Sequence, residues 1–158
     1  MPKFAVWLFI SALVVALDQF TKSVVMQHIA YGDVIRVTPF FDLILAHNRG
    51  AAFSLFADAG GWQHWFFSIT AVVASIVIIF LLRKYAQQTL FSLALSLVMG
   101  GALGNLIDRL QFGYVVDFLY FHYANWSFPA FNVADSAITC GAALLVWDSF
   151  RKPRHDPP

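Results

Sequence analysis

The 158-residue sequence has few charged side chains, and glutamate is missing altogether. Only 12% of its residues are charged, whereas an average soluble domain has about 25%. Ten Lys and Arg and nine Asp leave a net charge of +1 without a basic block, which excludes the electrostatic surface that nucleic acid requires. Because 59% of the residues are hydrophobic, we expect one domain whose surface mostly faces lipid.

Motifs of thiol, metal and serine chemistry are also missing. One cysteine, Cys140, cannot form an internal disulfide, and its apolar surroundings indicate a small packing residue. The five histidines show no H-E-x-x-H motif, so we expect no metal or other cofactor. G-x-S-x-G does not occur. A Ser–Lys peptidase is a weaker alternative, since Lys22 already has Asp18 as a partner four residues away on a helix.

Four stretches are long and apolar enough to cross a bilayer, which takes about 20 residues. They cover residues 4–26, 62–82, 90–110 and 131–150. The sequence therefore predicts an all-α membrane protein with four transmembrane helices. We expect a single domain over residues 1–152 and a disordered tail at 153–158.

Cations mark alternate ends of these spans, at Lys3, at the Arg83-Lys84 pair and at Arg151. By the positive-inside rule, both termini and the tail are cytoplasmic. Residues 33–56 lie between the first two spans and contain two β-like runs separated by Thr38-Pro39. This segment predicts a small extracytoplasmic β element.

Two aspartates stand out because their neighbours are apolar or helix-initiating. Asp117 lies within an apolar stretch, residues 114–121, where an isolated charge would be costly. Asp135 follows Asn132 by three residues, which is the spacing of an N-cap and an N3 acid, so capping alone could explain Asp135 but not Asp117. If the two carboxylates lie close together they share a proton, and such a pair can activate water for hydrolysis. The pattern favours an aspartyl hydrolase.

The third span carries a G-x-x-x-G spacing at Gly100 and Gly104, which predicts close approach of another helix. Asn105 and Arg109 follow it, four residues apart and therefore on one helix face. Two interpretations of Arg109 are open. It either extends to the membrane interface or binds a carbonyl or carboxylate of a substrate.

Five ordered motifs resemble those of the lipoprotein signal peptidase (signal peptidase II) family of bacterial membrane aspartyl peptidases. The resemblance extends from Phe4 to about Phe150. The motifs are Asp18–Lys22, Asn48–Ser54, Gly101–Arg109, Val115–Phe118 and Phe131–Ser136.

The resemblance implies that Asp117 and Asp135 are the catalytic dyad. It also assigns supporting or substrate-contacting roles to a second set of residues, with Asp18 as a structural member: Asn48, Asn105, Arg109, Asn132 and Asp18. The implied substrates are diacylglyceryl-modified prolipoproteins, cut just before the lipidated cysteine. The family also implies a bacterial plasma (inner) membrane location, contact with membrane lipid, and inhibition by cyclic peptides such as globomycin. A monomer is favoured, and no cofactor is implied.

Two other functions use the same aspartates differently. A small transporter or proton-relay bundle would carry polar residues through the membrane midplane, but the central and inner parts of the four spans are almost devoid of ionisable groups. A non-catalytic chaperone or lipid-binding module would use the carboxylates only to cap and orient helices.

Overall fold

The computed structural model describes residues 3–50 and 61–151 of the chain. The elements, in chain order, are α1 Lys3–His28, β1 Val34–Thr38, β2 Phe41–Asn48, α2 Trp62–Lys84, α3 Thr89–Phe112, β3 Val115–Tyr123, β4 Trp126–Ser127 and α4 Val133–Ser149. The predicted β segment at 51–56, the last part of the Asn48–Ser54 motif and the predicted disordered tail lie outside the described residues.

Within the described residues, three helices are long and apolar enough to cross a membrane, namely α1, α2 and α3. They correspond to the first three predicted spans. The fourth predicted span is occupied by α4, which has 17 residues. Such a helix is about 25 Å long, at the short limit for a bilayer core of about 30 Å. The fourth span therefore stays a prediction.

The large apolar side chains that the bundle leaves uncovered agree with a lipid-facing surface. On α2, for example, Ile69, Val73 and Phe80 are all more than half exposed. Isolated apolar groups are common on soluble proteins, but whole helix faces of this kind are not. The described helices therefore belong to a membrane protein.

Helix α3 lies at the centre of the bundle and packs against the other three helices. The predicted close approach at Gly100 and Gly104 is confirmed, and the partner helix is α1. A Cβ atom on Gly100 would lie 2.6 Å from Val14 Cβ, and one on Gly104 would lie 2.6 Å from Asp18 Oδ2. Gly141 of α4 packs just as closely against the backbone of α3. At Gly100 and Gly141 a side chain would push the helices apart, and at Gly104 it would displace the Asp18 carboxylate.

The four strands form an antiparallel sheet in the order β1-β2-β3-β4. We call the end of the bundle that carries it the sheet end, and the opposite end, where residues 85–88 join α2 to α3, the loop end. The predicted β element is confirmed at β1 and β2, and the sheet also contains β3 and β4, which the sequence did not predict. The first four residues of β3 are all buried. Without polar and apolar alternation, the sequence there does not show the period of a half-exposed strand.

Two apolar clusters hold these parts together. Near the loop end, α1, α2 and α3 share a core of Trp7, Ile78, Leu82, Leu95 and Met99. At the sheet end, Val25 and Ile29 near the end of α1 pack against Phe118 of β3. The second cluster fixes the sheet on the bundle and thereby places the start of β3 beside α3 and α4.

Candidate active site

Two elements, β3 and α4, bring the two singled-out aspartates to the sheet end. Asp117 is the third residue of β3, and Asp135 lies in the first turn of α4. An isolated bridge between Leu119 and Phe131 ties β3 to the segment that enters α4. Both carboxylates consequently face the same region beside α3.

Asn132 contacts both aspartates. Its side-chain oxygen accepts a hydrogen bond from the Asp135 N–H at 2.9 Å, and its own N–H donates to Asp135 Oδ2 at 3.3 Å. This reciprocal pair is a capping box, so the predicted N-cap is confirmed. The same side chain also donates from Nδ2 to Asp117 Oδ1 at 2.8 Å. Asn132, itself fully buried, thus joins the helix cap to the second carboxylate.

Two further asparagines donate to the carboxylates. Asn105 Nδ2 donates to Asp135 Oδ1 at 2.8 Å, and Asn48 Nδ2 donates to Asp117 Oδ2 at 3.0 Å. The oxygen of Asn48 accepts from the Gly50 N–H at 2.9 Å, which orients its amide. Three of the residues singled out in the sequence therefore lie within hydrogen-bond distance of the two aspartates.

A buried ion cluster lies directly behind this layer and consists of Asp18, Lys22 and Asp108. Lys22 Nζ is 2.7 Å from Asp18 Oδ2 and 2.8 Å from Asp108 Oδ2. The predicted pairing of Asp18 with Lys22 is confirmed. Asp18 also accepts from the Ala134 N–H at 2.9 Å, and Asp108 accepts from the Val116 N–H at 3.0 Å. The cluster therefore ties α1 to the start of α4, and α3 to the start of β3.

Sequence reasoning left Asp108 out of the site. A signal was available, because Asp108 lies four residues after Gly104 and therefore on the same helix face. That face contacts Asp18. The cluster also bears on the Ser–Lys alternative, since the three N–H donors of Lys22 are taken by Asp18, Asp108 and Asn105. The hydroxyl of Ser136 donates to the Asn132 carbonyl instead.

Arg109 lies at the edge of the same region. Its guanidinium stacks over the ring of Phe67, 5.2 Å from the centroid, and makes a long hydrogen bond of 3.4 Å to the Asn105 carbonyl. It also lines the cleft beside the aspartates. This position is compatible with contact to a bound ligand.

The cleft has a volume of about 560 Å³ and mostly apolar walls. Asn48, Asn105, Arg109 and Asp135 supply polar groups, and the apolar lining comes from Val115, from the segment Phe128–Phe131 and from Ile138. Few polar groups within apolar walls are typical of a binding site. Cys140 is exposed and lines this cleft, so its interpretation as a packing residue was wrong. The neighbouring Gly141 takes the close-packed position against α3 instead.

The environment of Asp117 favours its protonated form. Burial, and after it the negative charge of Asp135, raise the pKa of Asp117 to about 7 against the opposing effects of Asn48, Lys22 and Asn132. Near neutral pH the pair can therefore hold one proton between two carboxylates. One ionised and one protonated carboxyl group can act together as a general base and a general acid.

Comparisons with known proteins agree with this geometry. A profile of the family described as "Signal peptidase (SPase) II" matches residues 10–151. The lipoprotein signal peptidase of Burkholderia thailandensis is 54% identical over 150 residues, which cover 95% of this chain and 90% of that protein. The lipoprotein signal peptidase of Burkholderia mallei matches with the same identity and coverage.

The fold is also similar to a solved structure described as a bacterial membrane enzyme. That structure superposes with a TM-score of 0.81 at 32% sequence identity, covering 98% of this chain and 95% of the other. A family profile over most of the chain, relatives that share half of its residues and a common fold lead to one conclusion. The chain belongs to the signal peptidase II family.

Proposed function

We propose that the chain is an aspartic endopeptidase of the membrane that removes signal peptides from prolipoproteins, with Asp117 and Asp135 as its catalytic pair. The observation that carries this proposal is the attachment of both carboxylates to Asn132, beside a cleft with apolar walls. Membership of the signal peptidase II family gives the reaction. The transporter alternative is not favoured by these relatives.

In the proposed mechanism, the ionised carboxylate accepts a proton from a water molecule as that water attacks the scissile carbonyl carbon. The protonated carboxyl group donates a hydrogen bond to the carbonyl oxygen, where negative charge develops. The tetrahedral intermediate then collapses, the C–N bond breaks, and the acid formed in the first step protonates the leaving amine. The reaction consumes one water and needs no covalent enzyme intermediate.

The supporting residues have distinct tasks in this proposal. Asn48, Asn105 and Asn132 hold the carboxylates in place by donating hydrogen bonds to them. Arg109, at the edge of the cleft, binds a carbonyl or carboxylate group of the substrate. Asp18 is structural, because it accepts from the backbone of α4 and pairs with Lys22.

We further propose four spans, with α4 as the fourth, and a sheet end that faces away from the cytoplasm. Lys3, the Arg83–Lys84 pair and Arg151 lie at helix ends away from the sheet, as the positive-inside rule requires of a cytoplasmic side. Both termini are then cytoplasmic, in a bacterial inner membrane, with residues 1–152 as a single domain.

This topology suits a lipid-modified substrate. A signal peptide spans the membrane, and acyl chains on the cysteine that follows it remain in the outer leaflet. The bond before that cysteine then lies at the depth of Asp117 and Asp135. We propose that cyclic-peptide inhibitors such as globomycin occupy the same cleft.

The proposal is tested by measuring cleavage of a lipidated prolipoprotein peptide by the purified, detergent-solubilised chain. Asp117→Asn and Asp135→Asn should each lower turnover by roughly 1,000-fold or more. Asp33→Asn is the matched control, because Asp33 is exposed before β1, and it should behave as wild type. Near-normal cleavage by either dyad variant, with helical content retained, would refute the assignment.

A further inference from the structure

Lys22 is buried behind the proposed catalytic pair, with 1% of its surface exposed. Its ammonium group contacts Asp18 Oδ2 at 2.7 Å, Asp108 Oδ2 at 2.8 Å and Asn105 Oδ1 at 3.0 Å. An ammonium group has three N–H donors and no acceptor. All three donors are therefore matched, and the atom of Asn105 that faces Lys22 has to be its oxygen.

This donor-only neighbour fixes the orientation of the Asn105 amide. The two ends of an amide have nearly the same shape but opposite hydrogen-bonding character. Because the oxygen of Asn105 faces Lys22, its NH₂ group faces Asp135 Oδ1, at 2.8 Å. Asn132 Nδ2 also donates to this oxygen, at 3.1 Å, but it shares its two hydrogens with the Val116 carbonyl and Asp117 Oδ1. Without Lys22, only this shared bond would keep the amide oxygen turned away from the carboxylate.

Lys22 is also one of two cations, with Arg109, in a group of side chains that contains more acids than bases. Lys22 of α1 and Arg109 of α3 interact electrostatically with both carboxylates of the pair, and Asp18 of α1 interacts with Asp135. Asp108 of α3 pairs with Lys22. β2 contributes the neutral Asn48. The charge of Lys22 lowers the pKa of Asp117, opposing the effects of burial and of Asp135. With all three side chains ionised, the cluster of Asp18, Lys22 and Asp108 carries a net charge of −1.

We propose that Lys22 is a positioning residue for peptide hydrolysis, which orients Asn105 toward Asp135 and, with Asp108, balances the charge beside the two catalytic carboxylates. This inference rests on the proposed function, but it concerns residues that do not contact the substrate. It gives the ion cluster a second task besides joining helices.

Two single variants test the effect of charge in opposite directions. Lys22→Met removes the cation, so the pKa of Asp117 should rise, and the alkaline limb of kcat/KM should move to higher pH. This shift should be roughly half a pH unit or more. Asp108→Asn removes an anion, so the same limb should move to lower pH, but by less, because Asp108 contacts Lys22 rather than Asp117. In the second variant the introduced amide oxygen can still accept from the Val116 N–H, and Lys22 still contacts Asn105.

The double variant Lys22→Met/Asp108→Asn separates orientation from charge. It keeps the cluster at a net charge of −1, with Asp18 as its remaining ion. It also leaves one buried carboxylate without a cation instead of two, and unpaired buried charges destabilise proteins strongly. We expect an alkaline limb near that of wild type but a kcat lower by roughly 10- to 100-fold, because Asn105 loses the Lys22 contact that orients its amide toward Asp135. KM should change little.

The measurements are pH profiles of peptide cleavage, with thermal unfolding in detergent recorded for each variant. Opposite shifts in the two single variants, together with a lowered kcat in the double variant, support the proposal. Limbs that stay in place or move in the same direction would overturn it, and so would a double variant with wild-type kcat. If Asp117→Asn or Asp135→Asn stays active, the proposed function fails instead, so the two failures can be distinguished.

Discussion

The two ends of the helix bundle satisfy their buried polar groups in different ways. Near the loop end the donors are neutral and the acceptors are backbone carbonyls: Trp7 Nε1 donates to the Ala86 carbonyl at 2.9 Å, and Ser11 Oγ donates to the Ser96 carbonyl at 2.9 Å. At the sheet end, by contrast, side chains bond to side chains, and several of them carry charge. Buried polar groups need partners at both ends, but the consequences of losing one differ.

Losing a buried polar group costs a different amount of stability at each end of the bundle. Losing a neutral hydrogen bond to a carbonyl costs about 1 kcal/mol, because the carbonyl usually keeps its helical partner. Removing one member of a buried charged network leaves another charge unpaired and costs about 3–5 kcal/mol. In this chain, the larger cost is confined to the sheet end. The same buried network contains Asp117, whose protonated form is favoured. The loop end supplies the rigid apolar packing that holds this network in place.

Asn132 belongs to the side-chain network of the sheet end and also caps a helix, so its two roles can be tested separately. Asn132→Ser keeps a hydroxyl that can cap α4, but it is too short to donate to Asp117. We therefore expect kcat to fall by roughly 10- to 100-fold, because Asp117 loses a hydrogen bond to its charged form. Stability should fall by about 1–3 kcal/mol, because Asn105 Oδ1 and the Val116 carbonyl lose the same donor. Cleavage assays and thermal unfolding in detergent measure the two quantities separately.

Asn132→Ala is the matched variant, because it removes both the cap and the amide. It should lose the same activity and, in addition, about 1 kcal/mol of stability. If the serine variant cleaves its substrate normally, the bond between Asn132 and Asp117 has no catalytic value, and the sheet end is simply a second structural region.

A smaller effect is expected in the pH dependence of stability. The pKa of Asp117 is about 7 in the folded chain and 3.8 for an ordinary aspartate, so the folded state binds more protons between these values. The stability that this pKa difference contributes is fully present below about pH 4 and is lost as the pH rises through 7. Asp135→Asn removes a repelling charge, lowers the pKa of Asp117 and should make this decline shallower.

Melting temperatures in detergent at pH 5 and pH 8 test this expectation. The Asp135→Asn variant should be more stable than wild type at pH 8, by roughly 5 °C, and the gap should narrow at pH 5. Asp33→Asn should follow the wild-type curve. Parallel curves for wild type and Asp135→Asn would mean that the two carboxylates do not interact.

Local sequence patterns predicted a large part of this molecule. The first three helices follow from apolar length, the N-cap of α4 follows from the spacing of Asn132 and Asp135, and the i,i+4 rule paired Asp18 with Lys22. Each of these features depends on residues close together in the chain. The apolar neighbours of Asp117 singled it out for the same reason, since the cost of burying a charge can be read locally.

Contacts between distant residues could not be predicted in this way. Asn48 and Asp117 are 69 residues apart in sequence, and Lys22 and Asn105 are 83 residues apart. No spacing rule connects them. Strand β3 was missed because its first residues are buried on both faces, and Cys140 was misplaced because hydropathy does not tell a cleft wall from a helix interface.

A substitution near the loop end should have only a small effect on stability and none on catalysis. Ser11 is 2% exposed, and its hydroxyl donates to the carbonyls of Ser96 and Trp7. Ser11→Ala should cost less than about 1 kcal/mol, a shift of roughly 2–4 °C or less in melting temperature, and should leave kcat and its pH profile unchanged. A loss of activity here beyond the loss of folded protein would show that the apolar half also sets the geometry of the carboxylates. The backbone-bonded polar groups near the loop end would then contribute to catalysis as well as to stability.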